Sequence, residues 1–357
     1  MNKIYPIILA GGTGTRFWPK SRVSKPKQYL SLFDDVTLIQ ATAARLLGVC
    51  EPKDLLIVTS AEQSRWISQH LPWVPPENVI YEPARRNTGP AVGLAALQAM
   101  TRNPDAVMVL APADHLIRHS KAFVQDVNTA VEWIQNHPDA LMTLGVPPTF
   151  PATGFGYIRC GQATSEPDLY AVSGFSEKPD SERAQQYLQS GDYLWNCGMF
   201  VWRADTILNA MREFMPELYK GLLALRLVIG TQDFESVLKD VYKNLPAESI
   251  DYGIMEHTKN AYVIKAHFDW NDIGSWKQVF AETERDAQDN VVNGRVYLKD
   301  TKHCYIEADD RTVAVIGLEN TIIIQTRDAL LICDQDKAQD VKWLVNELEK
   351  NNEKDLL

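Results

Sequence analysis

Short apolar runs rich in β-branched residues alternate with stretches of helical periodicity through the first half of the chain. The apolar runs predict strands at Tyr5–Ala10, Leu55–Thr59, Asn78–Tyr81, Ala106–Ala111 and Ala140–Gly145. The stretches between them predict helices at Leu38–Leu47, Ala61–Gln69, Gly89–Met100 and Ser120–Asn136. This alternation is typical of an α/β fold, with helices on both faces of a mostly parallel sheet. Ligands of such sheets bind beyond the carboxyl ends of the strands.

From about Pro147 the pattern becomes less regular. We expect strands at Gly154–Ile158 and Val172–Phe175, followed by a helix at Ser181–Gln189. The stretch Tyr193–Trp202 is interpreted as a loop that leads into a strand. Long helical patterns then occupy Ala204–Tyr219 and Phe234–Lys243.

After Asp289 short strands recur at close intervals and a helical pattern ends the chain. The predicted strands are Arg295–Leu298, Cys304–Ala308, Thr312–Ile316, Thr321–Gln325 and Ala329–Cys333, and the closing helix is Lys337–Lys350. We therefore predict two domains, a large α/β domain at residues 1–286 and a small β-rich domain at residues 287–357. The close spacing allows a partial β-helix, although no strict repeat is visible.

Composition narrows the class of protein. The chain has 357 residues, 45% of them hydrophobic and 23% charged, and a formal net charge of −10. This acidic balance argues against a general nucleic-acid binder, and no apolar run is long enough to cross a membrane. The five cysteines are scattered, with no Cys-x-x-Cys pair. This pattern favours reduced thiols and a cytoplasmic protein over a disulfide framework or a zinc site.

The most informative candidate chemistry follows the first strand, in the segment Leu9-Ala-Gly-Gly-Thr-Gly-Thr-Arg16. Its glycines allow backbone N–H groups to approach a ligand closely, while Arg16, Lys25 and Lys27 supply positive charge. The spacing differs from that of a P-loop and lacks the third glycine of a dinucleotide fingerprint. We expect this loop to bind a polyphosphate; the structural alternative is a tight turn after the strand.

Two carboxylates are candidate magnesium ligands. Asp114 follows a buried strand and a proline, where it would face the ligand crevice; a helix N-cap is the alternative. Asp272, in Asp269-Trp-Asn-Asp-Ile-Gly-Ser-Trp276, is the second candidate and Asp269 its competitor. That segment could instead be an Asp-rich turn held by tryptophans. For His115 we expect a packing or capping role.

Three further groups of residues have the chemistry of a sugar-phosphate site. Gly156 offers room for a ring beside the backbone, Glu177 and Lys178 pair a hydroxyl acceptor with an ammonium group, and Asn196 supplies an amide. Each could instead belong to an ordinary turn or a surface ion pair.

Taken in order, these residues resemble the nucleotide-sugar pyrophosphorylases, and within them the branch that uses GTP and mannose 1-phosphate. Further matching blocks are Glu82-Pro-Ala-Arg-Arg-Asn-Thr-Gly-Pro90, Phe175-Ser-Glu-Lys-Pro179, Trp195-Asn-Cys-Gly-Met-Phe200 and Ile316-Gly-Leu-Glu-Asn-Thr321. The resemblance covers essentially the whole chain. It implies a Rossmann-like, three-layer αβα nucleotidyltransferase fold of the GT-A-like type, with a small C-terminal β-rich domain and a closing helix.

The resemblance also implies the reaction GTP + mannose 1-phosphate → GDP-mannose + pyrophosphate, assisted by Mg²⁺. The implied catalytic residues are Arg16, Lys27, Asp114 and Asp272, of which the two aspartates would hold Mg²⁺. The implied nucleotide-binding residues are Leu9, Ala10, Gly11, Gly12, Gly14, Thr15, Arg16, Lys27, Glu82, Asn87, Thr88 and Gly89. The implied sugar-phosphate residues are Gly156, Glu177, Lys178 and Asn196. Long relatives add an isomerase domain, which we do not expect here, and the β-rich segment is a candidate homodimer interface.

Three alternatives remain at this stage. A sister pyrophosphorylase would use another base or sugar. A glycosyltransferase of similar fold would normally carry an Asp-x-Asp motif, whereas Pro112-Ala-Asp-His115 has one carboxylate. A non-catalytic nucleotide-sugar sensor would have lost Arg16, Lys27, Asp114 or Asp272, and all four are present.

Overall fold

The computed structural model describes residues 3–12 and 14–357 and divides the chain into two compact units. Unit 1 comprises the described residues up to Gly11 together with Thr42–Asn271, and unit 2 comprises Gly12–Ala41 and Asp272–Leu357. The strands of unit 1 are β1 (Ile4–Ala10), β2 (Leu56–Ser60), β3 (Val79–Glu82), β4 (Val107–Pro112), β5 (Leu141–Val146), β6 (Gly156–Ala163), β7 (Leu169–Ser176), β8 (Tyr193–Arg203) and β9 (Ala261–Lys265).

Helix α1 (Leu38–Leu46) crosses the boundary between the two units. The other helices of unit 1 are α2 (Ser64–His70), α3 (Thr88–Arg102), α4 (Ser120–Asn136), α5 (Ser181–Ser190), α6 (Ala204–Phe214), α7 (Pro216–Val228) and α8 (Phe234–Asn244). Unit 2 contains α9 (Trp276–Glu282), α10 (Val341–Lys350), β10 (Val291–Asn293), β11 (Val296–Lys299), β12 (Tyr305–Ala308), β13 (Val313–Ile316), β14 (Thr321–Gln325) and β15 (Leu330–Asp334).

Among the described residues, unit 1 is built on a nine-stranded sheet with the strand order β3-β2-β1-β4-β8-β5-β9-β7-β6. Strands β3, β2, β1 and β4 are parallel to one another, as expected where strands alternate with helices along the chain. Strand β8 runs antiparallel to both β4 and β5, and β6 and β7 are antiparallel to their neighbours. The prediction of a mostly parallel sheet is therefore correct for the half formed by β3, β2, β1 and β4. It is wrong for the nine-stranded sheet as a whole, which is mixed.

Helices cover both faces of this sheet. Tyr5 and Ile7 of β1 are buried in one apolar cluster with side chains of α3, α6 and α7, whereas Ile8 is buried on the opposite face. Helix α4 contacts β4, β5 and β8, and its buried side chains are not part of that cluster. Because side chains of a strand alternate between faces, this burial requires cover on both sides. The predicted three-layer αβα arrangement is confirmed.

Two local predictions are wrong. Residues 193–202 are not a loop leading into a strand, because β8 extends through all of them and pairs with β4, β5 and β6. The helix expected at Ala204–Tyr219 ends at Phe214, and a second helix begins at Pro216. A proline has no N–H to donate and its ring clashes with the preceding turn, so it starts a helix rather than continuing one.

Unit 2 contains a short β-helix. Strands β10, β12 and β14 form one parallel sheet with Val291, Tyr305 and Ile322 in register, while β11 and β13 form a second parallel pair. A chain that alternates between two parallel sheets winds as a coil, and Cys304, Ile306 and Ile323 fill its interior. Strand β15 ends the coil antiparallel to β14, and α10 closes the chain.

The N-terminal segment Gly12–Ala41 packs within unit 2. Trp276 is fully buried, donates from Nε1 to the carbonyl of Trp18 over 3.1 Å, and has its ring 5.3 Å from that of Phe17. Trp18 Nε1 and Arg22 Nη1 in turn donate to the carbonyl of Leu356, over 2.9 and 2.6 Å. The segment after the glycine-rich loop is therefore held by residues from the other end of the chain. None of the described helices combines the length and apolar character needed to span a bilayer.

Candidate active site

The glycine-rich loop starts where β1 ends. Leu9 and Ala10 belong to β1, and the carbonyl of Ala10 accepts a hydrogen bond from the Thr59 hydroxyl over 3.0 Å. Gly11 and Gly12 are exposed, and a Cβ atom added at either would meet nothing within 4 Å. Thr13 of the motif lies outside the described residues. The backbone at Gly11 and Gly12 is therefore open to a ligand.

Gly14 is required by the local backbone. Its φ of +64° is left-handed, and an added Cβ atom would overlap the side chain of Lys27. The 3₁₀ turn Thr15–Phe17 follows, with Phe17 buried and Arg16 exposed. The predicted phosphate ligand Arg16 therefore presents its guanidinium on an open surface of unit 2.

Lys27 and Asp272 lie together in unit 2. Lys27 is only 4% exposed, and its Nζ donates to the backbone carbonyl of Asp272 over 2.7 Å. The Asp272 carboxylate is half-buried and accepts from Gln278 Nε2 over 2.9 Å. The next residue, Ile273, has a φ of +46°, which is strained for a β-branched side chain and occurs mostly at functional turns. The backbone of this loop at Ile273 is therefore held in a conformation of unfavourable energy.

Asp114 occupies a turn beyond β4 in unit 1, where it is half-buried. The register pairs Pro112 with Leu9, and the Ala113 N–H donates to the Leu9 carbonyl over 3.1 Å. The Asp114 turn thus lies beside the start of the glycine-rich loop, as expected for adjacent parallel strands.

The two neighbouring candidates have structural partners. Asp269 accepts the backbone N–H groups of Arg118 and His119 over 3.0 and 2.7 Å, at the entry to α4. His115 Nδ1 accepts from Trp270 Nε1 over 3.1 Å, and the two rings meet edge to face. The packing role predicted for His115 is confirmed, and the contacts of Asp269 leave Asp272 as our preferred second carboxylate.

Glu82 ends β3 at the carboxyl edge of the sheet. Its Oε1 accepts a hydrogen bond from the Tyr242 hydroxyl over 3.2 Å. Burial raises the pKa of Glu82 to about 7, while the bond from Tyr242 opposes that rise. A ligand that donates hydrogen bonds to Glu82 would stabilise its carboxylate form over its protonated form.

Asn87, Thr88 and Gly89 form the start of α3, with the Asn87 side chain accepting from the Thr88 N–H over 2.9 Å. The Thr88 hydroxyl accepts from the N–H of Ile250 over 3.0 Å, and the Gly89 N–H donates to the carbonyl of Glu248 over 2.9 Å. These predicted nucleotide residues therefore also fix the position of a distant segment at residues 248–250.

The four predicted sugar-phosphate residues come together in unit 1. Gly156 of β6 is the register partner of Asn196 of β8. A Cβ atom added at Gly156 would lie 2.5 Å from Glu177 Oε2 and 3.3 Å from Asn196 Cβ. Lys178 Nζ pairs with Glu177 Oε1 at 3.0 Å. The three predicted groups of residues thus line one site, although they are separate in the sequence.

The sequence analysis missed one residue of this cluster, Asp251. It begins a π-helical turn at Asp251–Met255, and its Oδ1 accepts from Asn196 Nδ2 over 2.7 Å. Burial raises the pKa of Asp251 to about 6; the bond from Asn196 opposes this and the charge of Glu177 adds to it. Residues 245–251 carry no apolar period and no known motif, so nothing in the sequence drew attention to this carboxylate.

The predicted residues are divided between the two units. Unit 1 contains Leu9, Ala10, Gly11, Glu82, Asn87, Thr88, Gly89, Asp114, Gly156, Glu177, Lys178 and Asn196. Unit 2 contains Gly12, Gly14, Thr15, Arg16, Lys27 and Asp272. The four predicted sugar-phosphate residues lie together within unit 1, and Lys27 and Asp272 lie together within unit 2.

Comparison with known proteins shows similarity along nearly the whole chain. The nucleotidyl transferase family matches residues 5–289, and the MannoseP isomerase/GMP-like beta-helix domain family matches residues 294–348. A mannose-1-phosphate guanylyltransferase of Klebsiella pneumoniae is 38% identical over 354 residues, covering 98% of this chain and 74% of that protein. One from Salmonella typhimurium is 39% identical over 356 residues, covering 97% and 73%.

A solved structure is similar over both units. It is described as the crystal structure of a mannose-1-phosphate geranyltransferase from Thermus thermophilus. The TM-score is 0.86 at 32% sequence identity, and the match covers 97% of this chain and 99% of that one.

Proposed function

The chain belongs to the nucleotidyl transferase family, and on that premise we propose that it transfers GMP from GTP to α-D-mannose 1-phosphate. The products are GDP-mannose and pyrophosphate. Two relatives named mannose-1-phosphate guanylyltransferase support the choice of base and sugar, at 38% and 39% identity. The observation that carries the proposal is the convergence of Gly156, Glu177 and Asn196 at one place.

That cluster has the chemistry of a hexose phosphate site. The Glu177 carboxylate accepts hydrogen bonds from hydroxyl groups, and the Asn196 amide both donates and accepts. The Lys178 side chain is 60% exposed, and its ammonium group is a point charge suited to a phosphate. Gly156 leaves the space that a sugar ring needs beside the strand.

The reaction needs no general base. The nucleophile is a phosphate oxygen of the sugar phosphate, which is ionised near neutral pH. Catalysis then consists of aligning that oxygen with the α-phosphorus and stabilising the charge of the transition state. We assign the nucleotide phosphates and the departing pyrophosphate to Arg16, Lys27 and the open backbone at Gly11 and Gly12.

We propose Asp114 and Asp272 as ligands of Mg²⁺. Both side chains are half-buried carboxylates, the hard oxygen donors that Mg²⁺ binds together with substrate phosphates. Gln278 Nε2 donates to Asp272 Oδ1, and a carboxylate has lone pairs on both of its oxygens, so this bond does not use up its capacity as a ligand. When bound, Mg²⁺ would screen the repulsion between two anionic substrates.

Glu82 is our candidate for recognition of guanine. Its carboxylate can accept from both N1–H and N2–H₂ of guanine, whereas uracil offers no such pair of donors. We expect Glu82→Gln to reduce the preference for GTP over ATP and UTP, because the amide has one acceptor oxygen where the carboxylate has two. The measurement is the ratio of kcat/KM values for the three nucleotides, and an unchanged GTP preference would reject this role.

The test of the proposed reaction is pyrophosphate release with GTP, mannose 1-phosphate and Mg²⁺, each omitted in turn. A panel of four nucleoside triphosphates against mannose, glucose and N-acetylglucosamine 1-phosphates then identifies the base and the sugar. Highest activity with another pair would make the chain a sister pyrophosphorylase. Saturable binding without turnover would make it a nucleotide-sugar sensor.

Two further proposals concern the protein as a whole. A cytoplasmic location is supported by five scattered cysteines, none of which forms a disulfide. A homodimer through the β-rich part of unit 2 is supported by the exposed apolar side chains of Ile316, Leu330 and Ile332. Fractionation of cells and sedimentation equilibrium measure these two properties.

A further inference from the structure

Asp251 is the acidic neighbour of the sugar-phosphate cluster that no sequence motif indicated. It contacts Asn196, and the charges of both Glu177 and Lys178 act on it. Burial disfavours the Asp251 carboxylate, and the negative charge of Glu177 adds to this cost. Such an arrangement is costly for the unliganded protein, and hydrogen-bond donors of a ligand would offset that cost.

The contact with Asp251 fixes the orientation of an amide. Asn196 Oδ1 accepts from the backbone N–H of Gly198 over 3.0 Å, and Nδ2 donates to Asp251 Oδ1 over 2.7 Å. Only one assignment of the amide oxygen and nitrogen satisfies both bonds, since a carboxylate accepts and an N–H donates. The second N–H of Nδ2 is then left to donate to a ligand.

Asp251 is itself firmly positioned. The preceding residue, Ile250, donates its N–H to the Thr88 hydroxyl, and the carbonyl of Glu248 accepts from Gly89. The N–H of Tyr252 donates to the Ser249 hydroxyl over 3.2 Å. The start of α3, a block that we assign to nucleotide binding, therefore anchors the turn that carries Asp251.

We propose that Asp251 is an additional residue of the sugar-phosphate site, which orients the Asn196 amide and accepts a hydrogen bond from a hexose hydroxyl. This inference rests on the proposed function, because it assigns one more contact to the same substrate. Oδ1 of Asp251 faces Asn196, and Oδ2 is the oxygen that would accept from the hydroxyl. The substrate contact distinguishes this role from a purely structural bond between two side chains.

The first test compares Asp251→Ala and Asp251→Asn with wild type in steady-state kinetics. We expect Asp251→Ala to raise KM for mannose 1-phosphate about ten- to a hundredfold, as for loss of a hydrogen bond to a charged group. KM for GTP should change less than about threefold. Asp251→Asn should recover part of the loss, since its amide oxygen can still accept from Asn196. The matched control is Glu256→Gln, an exposed carboxylate five residues further along the chain.

The second test identifies the hydroxyl. The series of 2-, 3-, 4- and 6-deoxymannose 1-phosphates is assayed with wild type and with Asp251→Asn. The analogue that lacks the hydroxyl bound by Asp251 should show a much smaller effect of the substitution than mannose 1-phosphate does. Equal effects on all analogues, or equal rises in KM for GTP and for the sugar phosphate, would overturn the inference.

The proposed reaction and the proposed role of Asp251 can be rejected independently. If wild type releases no pyrophosphate from GTP with mannose 1-phosphate, the proposed function is wrong, and the substrate panel shows which sugar phosphate to use for Asp251. If wild type turns over and Asp251→Asn matches it in every KM value, the role of Asp251 is wrong and the function stands. Should Asp251→Ala fail to fold, the near-isosteric Asn variant and the deoxy series decide alone.

Discussion

At the scale of single residues, the Glu82 carboxyl, our candidate for guanine recognition, reduces the stability of the folded protein at high pH. Burial raises its pKa from 4.5 to about 7, so the folded protein holds the proton more tightly than the unfolded chain does. Its favourable contribution to folding is fully present below pH 4.5 and is lost as the pH rises through 7. Above pH 7 the folded protein contains a poorly solvated carboxylate.

We therefore expect Glu82→Gln to stabilise the protein at pH 8 relative to pH 5. The free energy of unfolding of the variant, relative to wild type, should increase by about 1–3 kcal/mol between these two values. Denaturant titrations at both pH values measure it. Tyr242→Phe removes the bond that opposes the pKa rise and should make the loss of stability with pH steeper. Parallel pH curves for wild type and Glu82→Gln would contradict this account.

At the scale of elements, local pattern predicted the strands of the parallel half because each is a short apolar run rich in β-branched residues, which is typical of a strand buried on both faces. It failed where pairing partners decide the outcome. Strand β8 is inserted antiparallel between β4 and β5, and no feature of residues 193–203 determines which strands they will join. The turn at Asp251 and the strained φ of Ile273 were likewise unpredictable, because contacts distant in sequence impose both.

The start of β6 gives a prediction at this scale. A Cβ atom at Gly156 would lie 2.5 Å from Glu177 Oε2, so Gly156→Ala must displace the Glu177 side chain or the strand. We expect a rise of at least about tenfold in KM for mannose 1-phosphate, with KM for GTP nearly unchanged. The matched control is Gly154→Ala, where an added Cβ meets nothing within 4 Å. Equal kinetics for the two variants would show that Glu177 does not need the space at Gly156.

At the scale of the whole molecule, the two compact units do not follow a single cut in the sequence. Segment Gly12–Ala41 belongs to the unit that also contains Asp272–Leu357, although 230 residues, Thr42–Asn271, separate the two parts along the chain. The pattern predicted a boundary at residues 286 and 287 from the change in strand spacing, and that boundary stays a prediction. The alternation of apolar positions carries no information about which distant segment a loop will pack against.

Trp276 tests whether the segment after the glycine-rich loop is held by this unit. Trp276→Phe removes the bond from Nε1 to the Trp18 carbonyl and leaves a gap beside Phe17 and Tyr305, which should cost about 2 kcal/mol of unfolding free energy. Amide hydrogen exchange should accelerate in residues 15–22 and around Tyr305, while β1 and β4 in unit 1 stay protected. The matched control is Trp343→Phe on α10, where the indole is 65% exposed. Faster exchange throughout the nine-stranded sheet, or none in residues 15–22, would mean that Trp276 does not anchor that segment as a local unit.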